Sequence, residues 1–278
     1  MPIINSITRQ KIKAYLEVFI ENLILDHKNR QIREFGSAAE YLASVSKEGE
    51  LKPFHASIIS PAIMRINQFE RAMSTRLGTT FEECARLIAL DHHIDAQRSW
   101  DLKALVSASS WAEVEVQVAR LDRSGDAYGS VTVDSMIKSV LSKRQTDNVV
   151  SHIARADLYI KRSDGTELYF EMKSPKPNKG QCLEVTQRIL RIHAIKEIDR
   201  PAVQAFYAMA YNPWGYNKST YNWGYAKKYM DFENTVVIGA DFWALIGGSG
   251  TYEELLDIYR EVGAVKEKHI VDSLAFDF

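Results

Sequence analysis

Cysteine is almost missing from this chain. Its 278 residues hold two, Cys84 and Cys182, far apart and in no CxxC pair. A disulfide framework and a cysteine-held zinc site are therefore poorly supported, and free thiols in a reducing cytoplasm are the simpler expectation. Long apolar runs are missing too. The longest weakly charged stretch, 235–248, is broken by Asp241 and falls short of the ~18 apolar residues a membrane-spanning helix needs. The opening MPIINSITRQKIKAYLEVF lacks the basic-then-apolar order of a signal peptide, so the expected location is cytoplasmic. There is no internal repeat, no low-complexity tract and no Gly- or Ser-rich linker. No GxxxxGK[ST] loop occurs, so nothing points to ATP. Neither charge sign dominates: 35 Lys and Arg face 36 Asp and Glu, a net of −1. That balance does not announce a nucleic-acid binder, but it can conceal a local basic surface.

The content that is present is ordinary for a folded protein, 46% hydrophobic and 26% charged. Ile12, Leu16, Phe19 and Leu23 make one apolar stripe and predict a helix over 6–27. Shorter helices are predicted at 36–47 and 61–73, separated by a loop at 52–61 that holds Pro53 and Pro61. Thr79 and Thr80, followed three residues later by Glu82 and Glu83, resemble helix-start signals and predict a new helix over 80–93. Residues 110–120 are ambiguous, and 134–144 reads as helical. Residues 157–162 and 167–173, joined by Ser163-Asp-Gly-Thr166, predict a β-hairpin. A helix over 181–197, strands over 201–211 and 235–239, an aromatic loop over 212–225 and a helix over 251–263 follow. The economical reading is one continuous α/β domain: a helical region over 1–73 packed on a catalytic region over 74–278.

Side chains alternate along a strand, so Glu167, Tyr169, Glu171 and Lys173 share one face, with Leu168, Phe170 and Met172 on the other. A short turn brings Asp157 back beside Glu171. Two carboxylates can hold Mg²⁺, a hard cation that keeps several waters. A neighbouring lysine can position the attacking water or stabilise phosphate charge. These are the parts of a phosphodiesterase. An Asp-x13-Glu-x-Lys pattern is also what a hairpin with one solvated face would show. The charge distribution supports the first reading: Lys173, Lys176, Lys179, Arg188, Arg191 and Lys196 are opposed by Glu184 alone within 173–196, whereas 231–263 is strongly acidic. Basic residues along a polyanion's path supply affinity.

Asp157…Glu171-Met-Lys173 is similar to the PD-(D/E)xK nuclease signature. Ser174-Pro-Lys-Pro-Asn-Lys, the helix after it, Tyr211-Asn-Pro-Trp-Gly and Ile238-Gly-Ala-Asp-Phe-Trp resemble the TdeIII/MjaII group of type II restriction endonucleases. So does 74–83, STRLGTTFEE, whose GxxxE resembles the superfamily's motif-I glutamate. The matching pieces spread over residues 70–262. The resemblance implies a mixed central β-sheet flanked by helices, Mg²⁺-dependent cleavage of both strands of double-stranded DNA, a homodimer and a cognate DNA methyltransferase as genetic partner. It implies Asp157, Glu171 and Glu82 as metal ligands, with Lys173 catalytic. Glu83 or Glu184 are alternatives to Glu82 for completing the site. Ala156 stands where the signature carries proline. Members of the group are associated with interrupted palindromes of the GGNCC kind, and a palindrome suits a two-fold dimer. Lys176, Lys179, Arg188, Arg191, Asn217, Lys218 and Asn222 are candidate DNA contacts, by the pairing chemistry of Arg and Lys with guanine or phosphate and of Asn with adenine. Arg188 and Arg191 could equally form salt bridges, and the aromatic loop could equally be a packed surface. His92 and His93 point about 100° apart on a helix and make poor co-ligands. Trp111, Trp214, Trp223 and Trp243 read as core or interface. The competing readings are a structure-specific repair nuclease of the same fold and a non-catalytic DNA-binding protein.

Overall fold

The computed structural model describes residues 2–31, 54, 58, 61–123 and 132–274. The helix expected at 36–47 and most of the loop expected at 52–61 lie outside the described residues. The chain forms two compact units, Met1–Thr8 with Phe81–Leu255, and Arg9–Thr80 with Leu256–Phe278.

The first unit carries the sheet. Turn chemistry at Asp164 and Gly165, where Gly165 takes φ +87° and the Asp164 carboxylate accepts the Thr166 N–H at 2.9 Å, closes the expected hairpin. Its arms are β2 (Val149–Lys161) and β3 (Glu167–Met172), paired antiparallel with Tyr159 opposite Tyr169. β1 (Asp95–Ser107) pairs antiparallel with β2, while β4 (Val203–Met209) and β5 (Val236–Ile238) extend the sheet in parallel from β3. The order β1-β2-β3-β4-β5 is a mixed five-stranded sheet. β1 is an edge strand that the pattern reading left unassigned. Its Asp95, Arg98, Asp101 and Lys103 blur the apolar alternation, and such charges are common on edges that must resist pairing with other chains.

The parallel step from β3 to β4 needs a crossover, and the helix at Lys179–Lys196 supplies it. Asn178 caps that helix by a reciprocal box with Gln181. Numbered in chain order, the helices are α1 (Ser6–Gln31), α2 (Pro61–His92), α3 (Ala108–Arg123), α4 (Val133–Ser142), α5 (Lys179–Lys196), α6 (Gly224–Tyr229), α7 (Phe232–Thr235), α8 (Ala240–Gly247) and α9 (Thr251–Leu274). Residues of α3, α4 and α5 share one core with Tyr159, Tyr169, Ala205 and Tyr207 of the sheet. Phe170, on the opposite face of β3, packs against Phe206 and against Phe242 of α8. β3 is therefore covered on both faces, as central strands of sheets with parallel crossovers are. The solvated-face alternative for Glu171 is thereby overturned.

The expected helices at 61–73 and 80–93 are a single helix, α2. The Thr79 and Thr80 hydroxyls do not cap a new helix. They donate back to the carbonyls of Arg76 and Leu77 at 2.6 and 2.7 Å, a bonding mode that leaves the helix unbroken. Arg76 with Asp26 and Lys266 with Glu21 tie these helices together, each at 2.6 Å. α9 runs eleven residues past the expected end at 263.

His193 on α5 is buried, and its Nδ1 donates to the Ile198 carbonyl at 2.8 Å. Burial first, and the Arg200 charge after it, push its pKa down to about 4. The unfolded chain titrates near 6.5, so the stability this residue contributes is complete above that pH. It is lost as pH falls towards 4, by about 3 kcal/mol in all. Denaturant unfolding of His193→Gln should accordingly show a shallower loss of stability between pH 6.5 and 4 than the natural protein. Equal slopes would remove His193 from the acid response.

Candidate active site

Asp157 sits where β2 breaks its alternation. Ala156 and Tyr159, three residues apart and so on opposite faces of a regular strand, both belong to the core under α5. Directly across, Ser99 of β1 takes a left-handed φ of +50°, between the pairs Arg98–Leu158 and Trp100–Ala156. Such backbone is uncommon outside glycine and clusters at functional sites. Asp157 is half-buried beside the end of β3, where its carboxylate accepts the Met172 N–H at 2.7 Å.

Glu171 is 4% exposed. Lys173 Nζ lies 2.7 Å from its Oε1, and Arg188 Nη1 of α5 donates to its Oε2 at 2.5 Å. The lysine approaches off the hydrogen-bond direction, so Oε1 is buried and ion-paired without a directed donor. Burial, and then the Asp157 charge, raise the Glu171 pKa above the usual carboxylate value, with Lys173 and Arg188 working against them. For Lys173, burial disfavours the ammonium, yet the contact with Glu171 and the charges of Glu171 and Asp157 prevail and hold its pKa above the ordinary lysine value. A cavity of about 10 Å³, room for at most one water, lies between Glu171, Arg188 and the apolar side chains of Tyr169 and Ile192.

Asp157, Glu171 and Lys173 are thus brought together. Glu82 is ion-paired with Arg98 of β1. It lies in the sixth turn of α2 rather than in a first turn, and its Oε2 takes Arg98 Nη2 at 2.8 Å. Glu83 is held by Arg86 and Arg98. Burial raises its pKa, but the two guanidinium groups outweigh it and leave the carboxyl below the ordinary value. Glu184 is an exposed partner of Arg188 at 3.1 Å. Among the described residues no three His, Cys, Asp or Glu side chains form a ready metal cluster.

The loop after Lys173 is fixed from β4 and from the aromatic segment. Tyr207, Tyr221 and Trp223 donate to the carbonyls of Ser174, Pro175 and Pro177 at 3.1, 2.9 and 2.6 Å. Lys176 is exposed, with its ammonium 5.4 Å from the Trp214 ring centre and 5.9 Å from that of Trp223. The aromatic loop therefore packs against the segment that follows Lys173. The Trp residues have the structural places expected: Trp243 is buried, and Trp111, Trp214 and Trp223 pack against the core. His93 contacts the Leu245 and Ile246 carbonyls.

Of the candidate DNA contacts, Lys218 is used internally. It donates to the Glu233 and Val236 carbonyls at 2.9 Å each and lies over the Phe232 ring. Burial lowers its pKa. Lys179 pairs with Asp122, and Arg191 pairs with Glu115 while lying over Trp111. Asn217 and Asn222 are exposed. The Arg188 contact with Glu171 had been left open by the sequence as one of several salt bridges. The 17-residue separation across a crossover gives no local signal for it.

A mixed sheet flanked by helices, with two carboxylates and a lysine at the end of its central hairpin, is the arrangement of a PD-(D/E)xK nuclease. Comparison with known proteins narrows the class. The family model for the type II restriction endonuclease HinfI matches residues 5–263. The chain is 53% identical over 271 residues to the type II restriction enzyme HgiCII of Herpetosiphon aurantiacus, which covers 98% of this chain and 99% of that one. It is 52% identical to the type II restriction enzyme HgiEI of the same organism, again over 271 residues and 98% of both chains. The chain belongs to the HinfI family of type II restriction endonucleases. The class is the one its motifs resemble, and the matching family is that of HinfI. No described helix is long and apolar enough to cross a membrane.

Proposed function

We propose that this endonuclease cleaves both strands of DNA at a short palindrome with Mg²⁺ held by Asp157 and Glu171, and with Lys173 as the catalytic cation. The observation that carries this reading is the convergence of those three side chains beside the end of β3. The donor set fits the ion: both ligands are hard carboxylate oxygens, and Glu171 Oε1 is a buried acceptor lacking a directed donor. When bound, Mg²⁺ would polarise the scissile phosphate and lower the pKa of a water it holds. The protein's own contribution is positional. The Met172 N–H fixes one Asp157 oxygen, and Lys173 orients Glu171. The Lys173 ammonium, kept charged by its acidic neighbours, offers positive charge where negative charge grows on the phosphate.

Lys176, Asn217 and Asn222 are the exposed candidates for contact with DNA. A homodimer acting on an interrupted palindrome of the GGNCC kind, in the cytoplasm of a cell that protects its own DNA with a cognate methyltransferase, completes the reading. Unmethylated plasmid incubated with the protein should yield discrete fragments in Mg²⁺ and none in EDTA. A smear, or cleavage that survives EDTA, would overturn it.

A further inference from the structure

The acidic pair does not stand alone in this structure: a guanidinium already occupies the second oxygen of Glu171. Arg188 reaches that oxygen through Nη1, and through Nη2 it reaches Glu184, one helical turn earlier on α5. With Lys173 on the first oxygen, the set Asp157, Glu171, Lys173 and Arg188 has two charges of each sign and is neutral. A divalent ion entering this set unchanged would leave it with a net charge of +2 in a half-buried place, which low local dielectric penalises. Glu184 is half exposed and already shares the guanidinium, so Arg188 has a second acidic partner that does not need Glu171.

Resting on the metal-site reading above, we infer that Arg188 is a positioning residue that holds Glu171 in the metal-free enzyme and passes to Glu184 when a divalent cation binds. The side chain is long and 26% exposed, and its rotation requires no movement of α5. Arg188 therefore lowers the affinity of the free enzyme for metal. It also keeps the buried Glu171 carboxylate aligned until metal arrives. DNA, which adds phosphate charge beside the site, favours the same transfer, so metal binding and DNA binding reinforce each other.

The test is calorimetric titration of Mg²⁺ into the DNA-free protein at pH 8. The proteins are the natural chain, Arg188→Gln, Arg188→Lys, Glu171→Gln and the double variant Arg188→Gln/Glu171→Gln, each checked for folding by circular dichroism. Arg188→Gln is expected to bind Mg²⁺ at least about tenfold more tightly than the natural protein, since a unit charge a few ångströms from the ion acts strongly even at an effective dielectric of about 20. Arg188→Lys, which keeps the charge, should remain weak, and the gain should vanish in the double variant. If Arg188→Gln binds no more tightly while Glu171→Gln still abolishes binding, the inference falls and the metal site stands. If Glu171→Gln leaves Mg²⁺ binding unchanged in both backgrounds, the metal site falls and the inference with it.

Discussion

Glu171→Gln is expected to reduce DNA cleavage by on the order of 10³-fold or more while leaving the folded protein at least as stable at pH 7. The loss of activity follows from removing one of two carboxylates able to hold the cation. Metal stabilisation of a transition state is worth several kcal/mol, and each 1.36 kcal/mol is tenfold in rate. The stability follows from the direction of the Glu171 shift. Burial raises its pKa, so the native state holds that proton more tightly than the unfolded chain does. Stability is then lost as pH rises through the ordinary carboxylate value towards the raised one, and at pH 7 the ionised side chain is a cost. Glutamine has the shape of the protonated form and avoids that cost. Its removal of a charge leaves Arg188 with Glu184 and leaves Lys173, 31% exposed, in contact with water. Single-turnover cleavage and denaturant unfolding on the same preparations measure both halves. An active variant contradicts the site, and an inactive variant that is several kcal/mol less stable contradicts the placement of Glu171 as a residue kept for function against stability.

Trp243→Ala is expected to cost about 3–5 kcal/mol, the range for deleting a fully buried large aromatic side chain. Trp243 is 1% exposed, its indole N–H donates to the Ala210 carbonyl at 2.8 Å, and its ring packs on Phe242. The substitution removes the packed surface and leaves a buried carbonyl without its donor just past the end of β4. The melting temperature should fall by on the order of 10 °C. A fall of only one or two degrees would mean that α8 is not anchored through this side chain.

The hairpin was readable because its signals are local. Period-two alternation, the Asp164-Gly165 turn and the spacing of Asp157, Glu171 and Lys173 fix a register without help from elsewhere. The change of side-chain alternation at Asp157 was not readable. It depends on the left-handed backbone of Ser99, which arrives on a separate strand, and serine carries no signal for that conformation. The burial of Glu171 was equally hidden, because a hairpin sequence does not reveal that α5 returns over its polar face. The expected helix start at residue 80 came from reading Thr79 and Thr80 as caps. A threonine followed by a glutamate looks the same when its hydroxyl bonds backwards inside a continuing helix. Lys218 looked like a free cation in a polar loop, and only the fold shows the two carbonyls that hold it.

The most direct measurement is a parallel digestion of one fully sequenced, unmethylated plasmid by the natural protein and by Glu171→Gln, in Mg²⁺ and in EDTA, with the fragment ends sequenced. The expected result is discrete fragments from the natural protein in Mg²⁺ alone, with every end at one short palindrome, and intact plasmid in the other three lanes. Fragments with no common end sequence, or fragments produced equally by Glu171→Gln, would contradict it.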